Sequence, residues 1–391
     1  MIKLPQNDCT ACSACKASCP RNAISFVLQA NGFYYPYIDV TKCSNCGLCE
    51  KTCPALHPTR EDQNQDVYLA WNKKLDIRLE SSSGGIFSVI ANSVLSQNGI
   101  VCGAMYDDKM NVIHGFAKDF EELKMLQGSK YVQSDIGNTF KVAKEYLKQG
   151  RLVYYTGTPC QIAGLKSFLF KDYKNLITSD LICHGVPSNA LFQLQMKDLE
   201  KRLKQKIVDF KFRSKKRFGQ GYDIQITSID SSEKHIKSFY NAELIPYFYG
   251  FWKNITLREC CYECKYCTKD RRGDITLADY WTAKRDFSGI KMSKGLSLLL
   301  VNTDKGKQII KQIKDEIGYK ISLVENALKG QEHLKHPVKM PKKHDDFVKD
   351  FKNNMNFDFL SKKYLIPSKK ETIKYQIRNV AKTALFYKYW K

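Results

Sequence analysis

Apolar residues recur at helical spacing after residue 81, where "SSSGGIFSVIANSVLSQNG" puts Ile86, Ile90 and Val94 on one face, serines suited to capping in front and an Asn98-Gly99 stop behind. The run that follows at Ile100, "IVCGAMYD", has strand length. This alternation repeats. Residues 137–150 read as a helix ended by Gly150, "RLVYYTG" as a strand, "TPCQIAGLKSFL" as a helix opened by Pro159 and "LITSDLIC" as a strand. Alternating helices and strands predict a mainly parallel sheet. From Ile207 to about Tyr240 the period shortens to two in "VDFKFRS" and "YDIQITSID", which predicts an antiparallel addition. Near the start, "AISFVLQANGFYYPYID" flanks Asn31-Gly32 with β-branched and aromatic residues, the signature of a tight hairpin. A polar stretch from His57 to Asp66 reads as a linker. The end of the chain breaks the rhythm: "HPVKMPKKHDDF" is loop-like, and beyond it Ile373, Ile377, Val380 and Ala384 share a helical face beside Lys374, Arg378 and Lys382.

The 391 residues, 43% of them hydrophobic, can bury a substantial core over two or three domains. No apolar run reaches the length of a membrane span and "MIKLPQNDC" has no apolar signal core, so a cytoplasmic protein is expected. The formal charge of +23 favours anionic partners. Nucleic acid is not the expected one, because the excess is mostly lysine spread along the chain, without an arginine-rich arm or recognisable module. From Ser361 onward nine basic residues face one acidic residue, a composition that suits peripheral contact with the inner face of a membrane as well as a docked terminal helix with solvated lysines.

The fifteen cysteines change the picture most. "CTACSACKASCP" and "CSNCGLCEKTCP" both follow C-x2-C-x2-C-x3-C-P, the spacing of bacterial two-cluster ferredoxins, whose fourth thiolate reaches across to the other 4Fe-4S cube. The crossing assigns Cys9, Cys12, Cys15 and Cys53 to one cluster, and Cys43, Cys46, Cys49 and Cys19 to the second. Zinc has no use for the third cysteine or the proline, and a disulfide framework does not fit a long chain without a secretion signal. Two such clusters move single electrons and offer no substrate pocket. A large α/β domain behind them calls for a group that converts single electrons into hydride, usually a flavin.

Several further segments, "SSSGGIFSVIANSVL", "GSKYVQSD", "YYTGTPCQIAGLKSFL", "DLICHGVPS", "DFKFRSKK", "CCYECKYC" and "GDITLADYW", resemble the beta subunits of coenzyme F420 hydrogenases and dehydrogenases and their bacterial relatives. The resemblance implies a flavin-dependent iron-sulfur oxidoreductase that uses FAD. It also implies a third 4Fe-4S cluster on Cys160, Cys183, Cys261 and Cys264, with Cys260 or Cys267 left open as replacements and a small zinc site in "CCYECKYC" as the alternative. Many bacterial relatives look like accessory enzymes of cell-surface polysaccharide synthesis, and the fused ferredoxin unit resembles that branch. An external donor such as ferredoxin or a reductase, and a small-molecule or glycan-related substrate, are the implied partners.

The expected fold is α+β and multidomain: a two-cluster ferredoxin fold over residues 1–58, then a mixed α/β flavin-binding domain in two parts, 66–150 and 151–330, and a basic extension over 331–391. For the flavin, Ser83-Gly84-Gly85 and Thr156-Gly157-Thr158 stand at predicted helix N-termini, where free N–H groups favour a diphosphate, and Gly128-Ser129-Lys130 adds a cation; each is otherwise an ordinary turn. His184 is the candidate proton donor to reduced flavin or substrate, against a merely hydrogen-bonded histidine. Arg213, Lys215 and Lys216 suit an acidic substrate or a solvated strand end. Cys102 reads as core packing. Two competing functions are a non-catalytic electron-transfer component that feeds a partner enzyme, and a coenzyme F420-dependent dehydrogenase.

Overall fold

The computed structural model describes residues 4–58, 65–215, 221, 223–230, 233–239, 245–353 and 356–390. Most of the polar linker, together with Lys216 and Tyr240, lies outside the described residues. Strands β1 (Ile24–Leu28) and β2 (Tyr34–Ile38) form the expected hairpin, with Leu28 opposite Tyr34. Its loop is longer than a two-residue turn. Gly32 N donates to Gln29 O, Gly32 takes φ 81°, and Asn31 Oδ1 accepts from Phe33 N at 3.1 Å. A Cβ on Gly32 would lie 2.8 Å from the Phe351 ring and 3.0 Å from Ser188 Oγ, so glycine also lets the hairpin lie against the larger domain.

That domain contains β3 (Asp66–Asn72), β4 (Ile100–Tyr106), β5 (Val112–Ala117), β6 (Val153–Gly157), β7 (Leu176–Leu181), β8 (Lys206–Ser214), β9 (Asp223–Asp230), β10 (Glu233–Phe239), β11 (Ile275–Asp279), β12 (Ser297–Val301) and β13 (Ile317–Ser322). Eight of them form one sheet in the order β13-β3-β12-β11-β7-β6-β4-β5, and β8, β9 and β10 form the predicted antiparallel addition. The sheet is parallel only through β4, β6, β7 and β11; antiparallel pairings flank this centre, so it is mixed rather than mainly parallel. One reason is local: β4 turns straight back into β5 through a short polar loop, without a crossover helix.

Strand alternation sorts the core. Tyr154 of β6 joins Ile86, Ile90, Val94, Ile309 and Ile313 on one face, while Val153 and Tyr155 join Phe140, Leu147, Ile162 and Leu165 on the other. Cys102 packs in the second cluster, as expected. The ferredoxin unit docks on that same face, contributing Cys12 and Ala14 to it. Within helix Pro159–Leu169, a Cβ on Gly164 would sit 2.8 Å from both Cβ and Sγ of Cys12, so a residue without a side chain is required where the two units touch. Of the stretch set apart as a basic extension, Val338, Phe347, Phe357, Leu360, Tyr364 and Leu365 lie in the core beside β8 and β9.

Helix Ile86–Ser96 forms where predicted, but the serines do not cap it. Gly85, at φ 84°, immediately precedes the helix; Ser82 Oγ accepts from Ser129 N and Ser83 Oγ donates to Leu296 O.

Candidate metal centre

All fifteen cysteines are free thiols, and all but the core residue Cys102 fall into three groups. In the N-terminal unit the two cysteine runs adopt the same irregular backbone. Ala11 and Ser13 have φ of 54° and 65°, and their counterparts Asn45 and Gly47 have 58° and 71°. Left-handed conformations at non-glycine residues are costly and are maintained where the surroundings demand them. Here they wrap the chain around a space and aim N–H groups at sulfur: Ala11 N donates to Cys9 Sγ, Asn45 N to Cys43 Sγ and Ala23 N to Cys19 Sγ, at 3.3–3.4 Å. Cys9, Cys12, Cys15 and Cys53 line one cavity, and Cys19, Cys43, Cys46 and Cys49 line another. Each cavity thus takes three cysteines from one run and the fourth from the other.

A third, larger cavity is lined by Cys160, Cys183, Cys260, Cys261, Cys264 and Cys267, along with Thr158, His184 and Arg258. Cys160 lies in the first turn of helix Pro159–Leu169, directly after β6, and Cys183 follows β7, so both stand at the carboxyl edge of the parallel strands. The remaining four come from a short 3-10 turn, Glu259–Cys261, and the turns after it. Thr10 and Ala55 line both this cavity and that of Cys9, Cys12, Cys15 and Cys53.

Among the described residues, no group of three or more His, Cys, Asp or Glu side chains is gathered around a single metal ion. The thiols instead form the walls of cavities, which fits a multi-atom inorganic cluster. Burial pushes the Cys12 and Cys183 thiols up to about 12 and raises Cys9, Cys15 and Cys160 as well. Cys264 goes the other way, to about 7, because the Cys267 thiol hydrogen-bonds to it. Metal-free, most of these sulfurs carry protons, and loading a metal must displace them.

The flavin candidates divide into two places. Ser82 Oγ accepts from Ser129 N at 2.8 Å, which joins the loop of Ser83, Gly84 and Gly85 to that of Gly128, Ser129 and Lys130. Gly84 has a packing reason: its Cβ would lie 2.5 Å from Ala70 O. Lys130 Nζ donates to Gln127 O and Gly128 O, and burial lowers its pKa to about 8. Thr156, Gly157 and Thr158 end β6 beside the third cavity, where Thr158 Oγ1 is 3.1 Å from Cys160 Sγ and Thr158 N donates to Gln161 Oε1.

His184 is engaged on both ring nitrogens. Nε2 donates to Asn254 Oδ1 at 2.6 Å, which leaves Nδ1 to accept from His333 Nε2 at 2.9 Å. Burial and the neighbouring His333 push its pKa down to about 4. Both ring nitrogens thus have partners within the protein, the geometry of the hydrogen-bonded alternative. Neither Arg213 nor Lys215 is a solvated strand end. Arg213 pairs with Asp279 at 2.8 Å with its side chain 2% exposed, and buried Lys215 donates to the carbonyls of Arg78 and Ser83. Burial, then the Arg213 charge, lowers Lys215 to about 7. Sequence reading missed the buried Arg78, which donates to Gly295 O, and His114, whose Nε2 donates to Thr156 O at 2.9 Å. No local pattern marks either one.

Residues 150–326 match the family described as the C terminus of the coenzyme F420 hydrogenase/dehydrogenase beta subunit, and residues 8–56 match a 4Fe-4S dicluster domain. Through these residues the chain carries a C-terminal domain of the F420 hydrogenase/dehydrogenase beta-subunit type behind a 4Fe-4S dicluster domain. The chain is 23% identical over 354 residues to the coenzyme F420-dependent sulfite reductase of Methanocaldococcus jannaschii, covering 87% of this chain and 52% of that one. It is 24% identical over 162 residues to the F component of the F(420)H(2) dehydrogenase of Methanosarcina mazei, covering 39% of this chain and 46% of that one. A solved structure of the F420-reducing NiFe hydrogenase complex from Methanosarcina barkeri overlays with a TM-score of 0.43 at 16% identity, covering 75% of this chain and 94% of that one. The chain thus spans about half the length of the two curated relatives. It carries a 4Fe-4S dicluster domain and is similar over the rest of its length to F420-dependent oxidoreductase chains.

Proposed function

We propose that this chain is an iron-sulfur flavoprotein oxidoreductase that takes up electrons singly and delivers them in pairs, through FAD, to an organic substrate or coenzyme. The observation that carries the reading is the continuity of the cysteine-lined cavities, since Thr10 and Ala55 form a shared wall between the first and the third. Cys9, Cys12, Cys15 and Cys53 would hold one cluster and Cys19, Cys43, Cys46 and Cys49 another. The third would take Cys160, Cys183, Cys261 and Cys264, with Cys260 and Cys267 in the same wall. Entry at the second set is suggested by Cys46, an exposed cysteine with no counterpart in the first set. An electron-carrier protein such as ferredoxin is the matching donor.

FAD, when bound, supplies the conversion of single electrons to hydride. The loops at 83–85, 128–130 and 156–158 are its candidate cradle, and the buried cations Arg78 and Lys215 against the first of them suit a diphosphate. Among acceptors, one with an acidic tail, as in a deazaflavin coenzyme, is favoured by the net charge of +23. A second reading, an electron-transfer component whose substrate chemistry lies elsewhere, is favoured by the 4Fe-4S dicluster domain at residues 8–56, which moves single electrons without a substrate pocket of its own.

Membrane contact belongs to the same proposal. Among the described residues no helix is long and apolar enough to cross a membrane. Helix Lys369–Trp390 is held at its start by Glu371, which bonds Lys253 and Tyr249, yet Ile373, Ile377 and Val380 are exposed beside basic residues. That face suits an anionic lipid surface.

Anaerobic purification with iron, sulfide and flavin quantified tests the reading. About eight to twelve irons and one flavin per chain are expected if each cluster is a four-iron cube. Zinc without flavin would refute it. Stoichiometric reduction of a deazaflavin coenzyme by the dithionite-reduced protein separates the enzyme from the electron-transfer component.

A further inference from the structure

Arg258 is 1% exposed and lies between two cysteine sets. Its backbone N–H donates to Val186 O at 2.9 Å, which fixes it beside the loop that follows Cys183. Its side chain passes into the ferredoxin unit. There Nε donates to Cys9 O at 2.7 Å and Nη2 to Tyr34 O at 3.0 Å, while Nη1 donates to Gln133 Oε1 at 3.2 Å. The guanidinium lies 4.2 Å from the centre of the Tyr35 ring and 5.3 Å from that of Phe33. Two residues on, Cys260 and Cys261 line the third cavity, which Arg258 also lines.

All three oxygen partners are neutral, and among the described residues no carboxylate forms an ion pair with Arg258. Arg213 and Arg271, equally buried, each face one, Asp279 and Asp180. A buried cation without a counter-charge is unfavourable, so its position calls for an anion. Four thiolates around an iron-sulfur cube carry net negative charge, and the two cysteine sets beside Arg258 would each supply such a group.

We infer that Arg258 is the shared counter-ion of the first and third clusters, setting both reduction potentials upward together while clasping the ferredoxin unit to the α/β domain. This rests on the iron-sulfur reading above. It is a positioning and tuning residue rather than a catalytic one. A nearby positive charge favours the reduced, more negative cluster, and net charge and hydrogen bonding are the protein's levers on cluster potential. The second set, Cys19, Cys43, Cys46 and Cys49, lines a separate cavity that Arg258 does not reach, so it serves as an internal reference.

The test is a potentiometric titration of the full-length, cluster-loaded protein followed by electron paramagnetic resonance, with wild type, Arg258→Gln and Arg258→Lys compared. The second cluster's signal is assigned by its loss in Cys46→Ser. In Arg258→Gln the reduced-to-oxidised ratio of the first and third clusters at a fixed potential should fall at least tenfold, equivalent to about 59 mV for a one-electron couple. The second cluster should not move, and Arg258→Lys should recover part of the shift. Unchanged potentials, or an equal shift of all three clusters, would overturn the inference. If Arg258→Gln does not retain iron, Arg258→Lys decides: near-native first and third potentials support the role of the charge, and a tenfold fall contradicts it. Absence of any paramagnetic signal from reduced wild type would instead count against the iron-sulfur reading itself.

Discussion

Replacing Asp180 by Asn should cost this protein a large share of its stability, because the carboxylate anchors a buried arginine beneath the third cysteine set. Arg271 and Asp180 have side chains 1% and 0% exposed and approach to 3.3 Å. The carboxylate also accepts from Arg272 N at 2.9 Å, Gly273 N at 3.1 Å and Thr276 Oγ1 at 2.5 Å. Arg271 in turn donates to Tyr266 O, Thr268 O and Leu181 O, tying β7 to the turn that carries Cys264 and Cys267. An asparagine retains the volume but leaves the guanidinium uncompensated and turns an NH2 toward donors. Removing one partner of a buried pair costs about 3–5 kcal/mol. At about 2 °C per kcal/mol for a chain of this size, the main thermal transition should fall by about 6–10 °C. The control is Glu121→Gln, which breaks an ion pair to Lys124 whose side chains are 82% and 66% exposed; its effect should stay within about 0.5 kcal/mol. Differential scanning calorimetry of the metal-free proteins makes the comparison. Equal shifts for the two variants would refute the view that burial, rather than the ion pair itself, sets the magnitude.

Gly164→Ala should loosen the ferredoxin unit even though alanine is the better helix former by about 1 kcal/mol, because the added Cβ meets Cys12 at 2.8 Å; faster proteolytic release of the N-terminal unit, with the about eight irons of its two clusters, is the expected result, and native iron content after proteolysis would contradict it. His114 carries a pH signature. Burial holds its folded pKa at about 4 against 6.5, so the unfolded chain binds the proton first, and stability present above pH 6.5 is lost as pH falls toward 4, by about 3 kcal/mol. In His114→Gln, denaturant midpoints should flatten across that window relative to wild type. On the terminal helix, Ile373→Glu with Ile377→Glu should reduce co-sedimentation with anionic vesicles by at least about tenfold while leaving binding to neutral vesicles negligible; unchanged sedimentation would remove the membrane reading.

The sequence by itself determined the elements and the chemistry that depend on near neighbours. Cysteine spacing within twelve residues announced iron-sulfur ligation, because the full C-x2-C-x2-C-x3-C-P run brings three thiolates to one centre and sends the fourth to another. Pro159 opened its helix, and the strands at Ile100, Val153 and Leu176 appeared within a residue or two of their predicted starts. Tertiary structure decided whatever depends on residues brought together from far along the chain. Cys160 and Cys183 meet Cys260, Cys261, Cys264 and Cys267 only because β6 and β7 end side by side and the later turn folds over that edge. His184 is held by Asn254 and His333, residues 70 and 149 positions away. Arg258 reads locally as one more surface charge on a basic protein, yet folding buries it against Cys9, 249 residues away, with neutral oxygens as its hydrogen-bond partners. Local pattern reports propensity and spacing; burial and the electrostatic partner of a charge exist only once the chain has closed on itself.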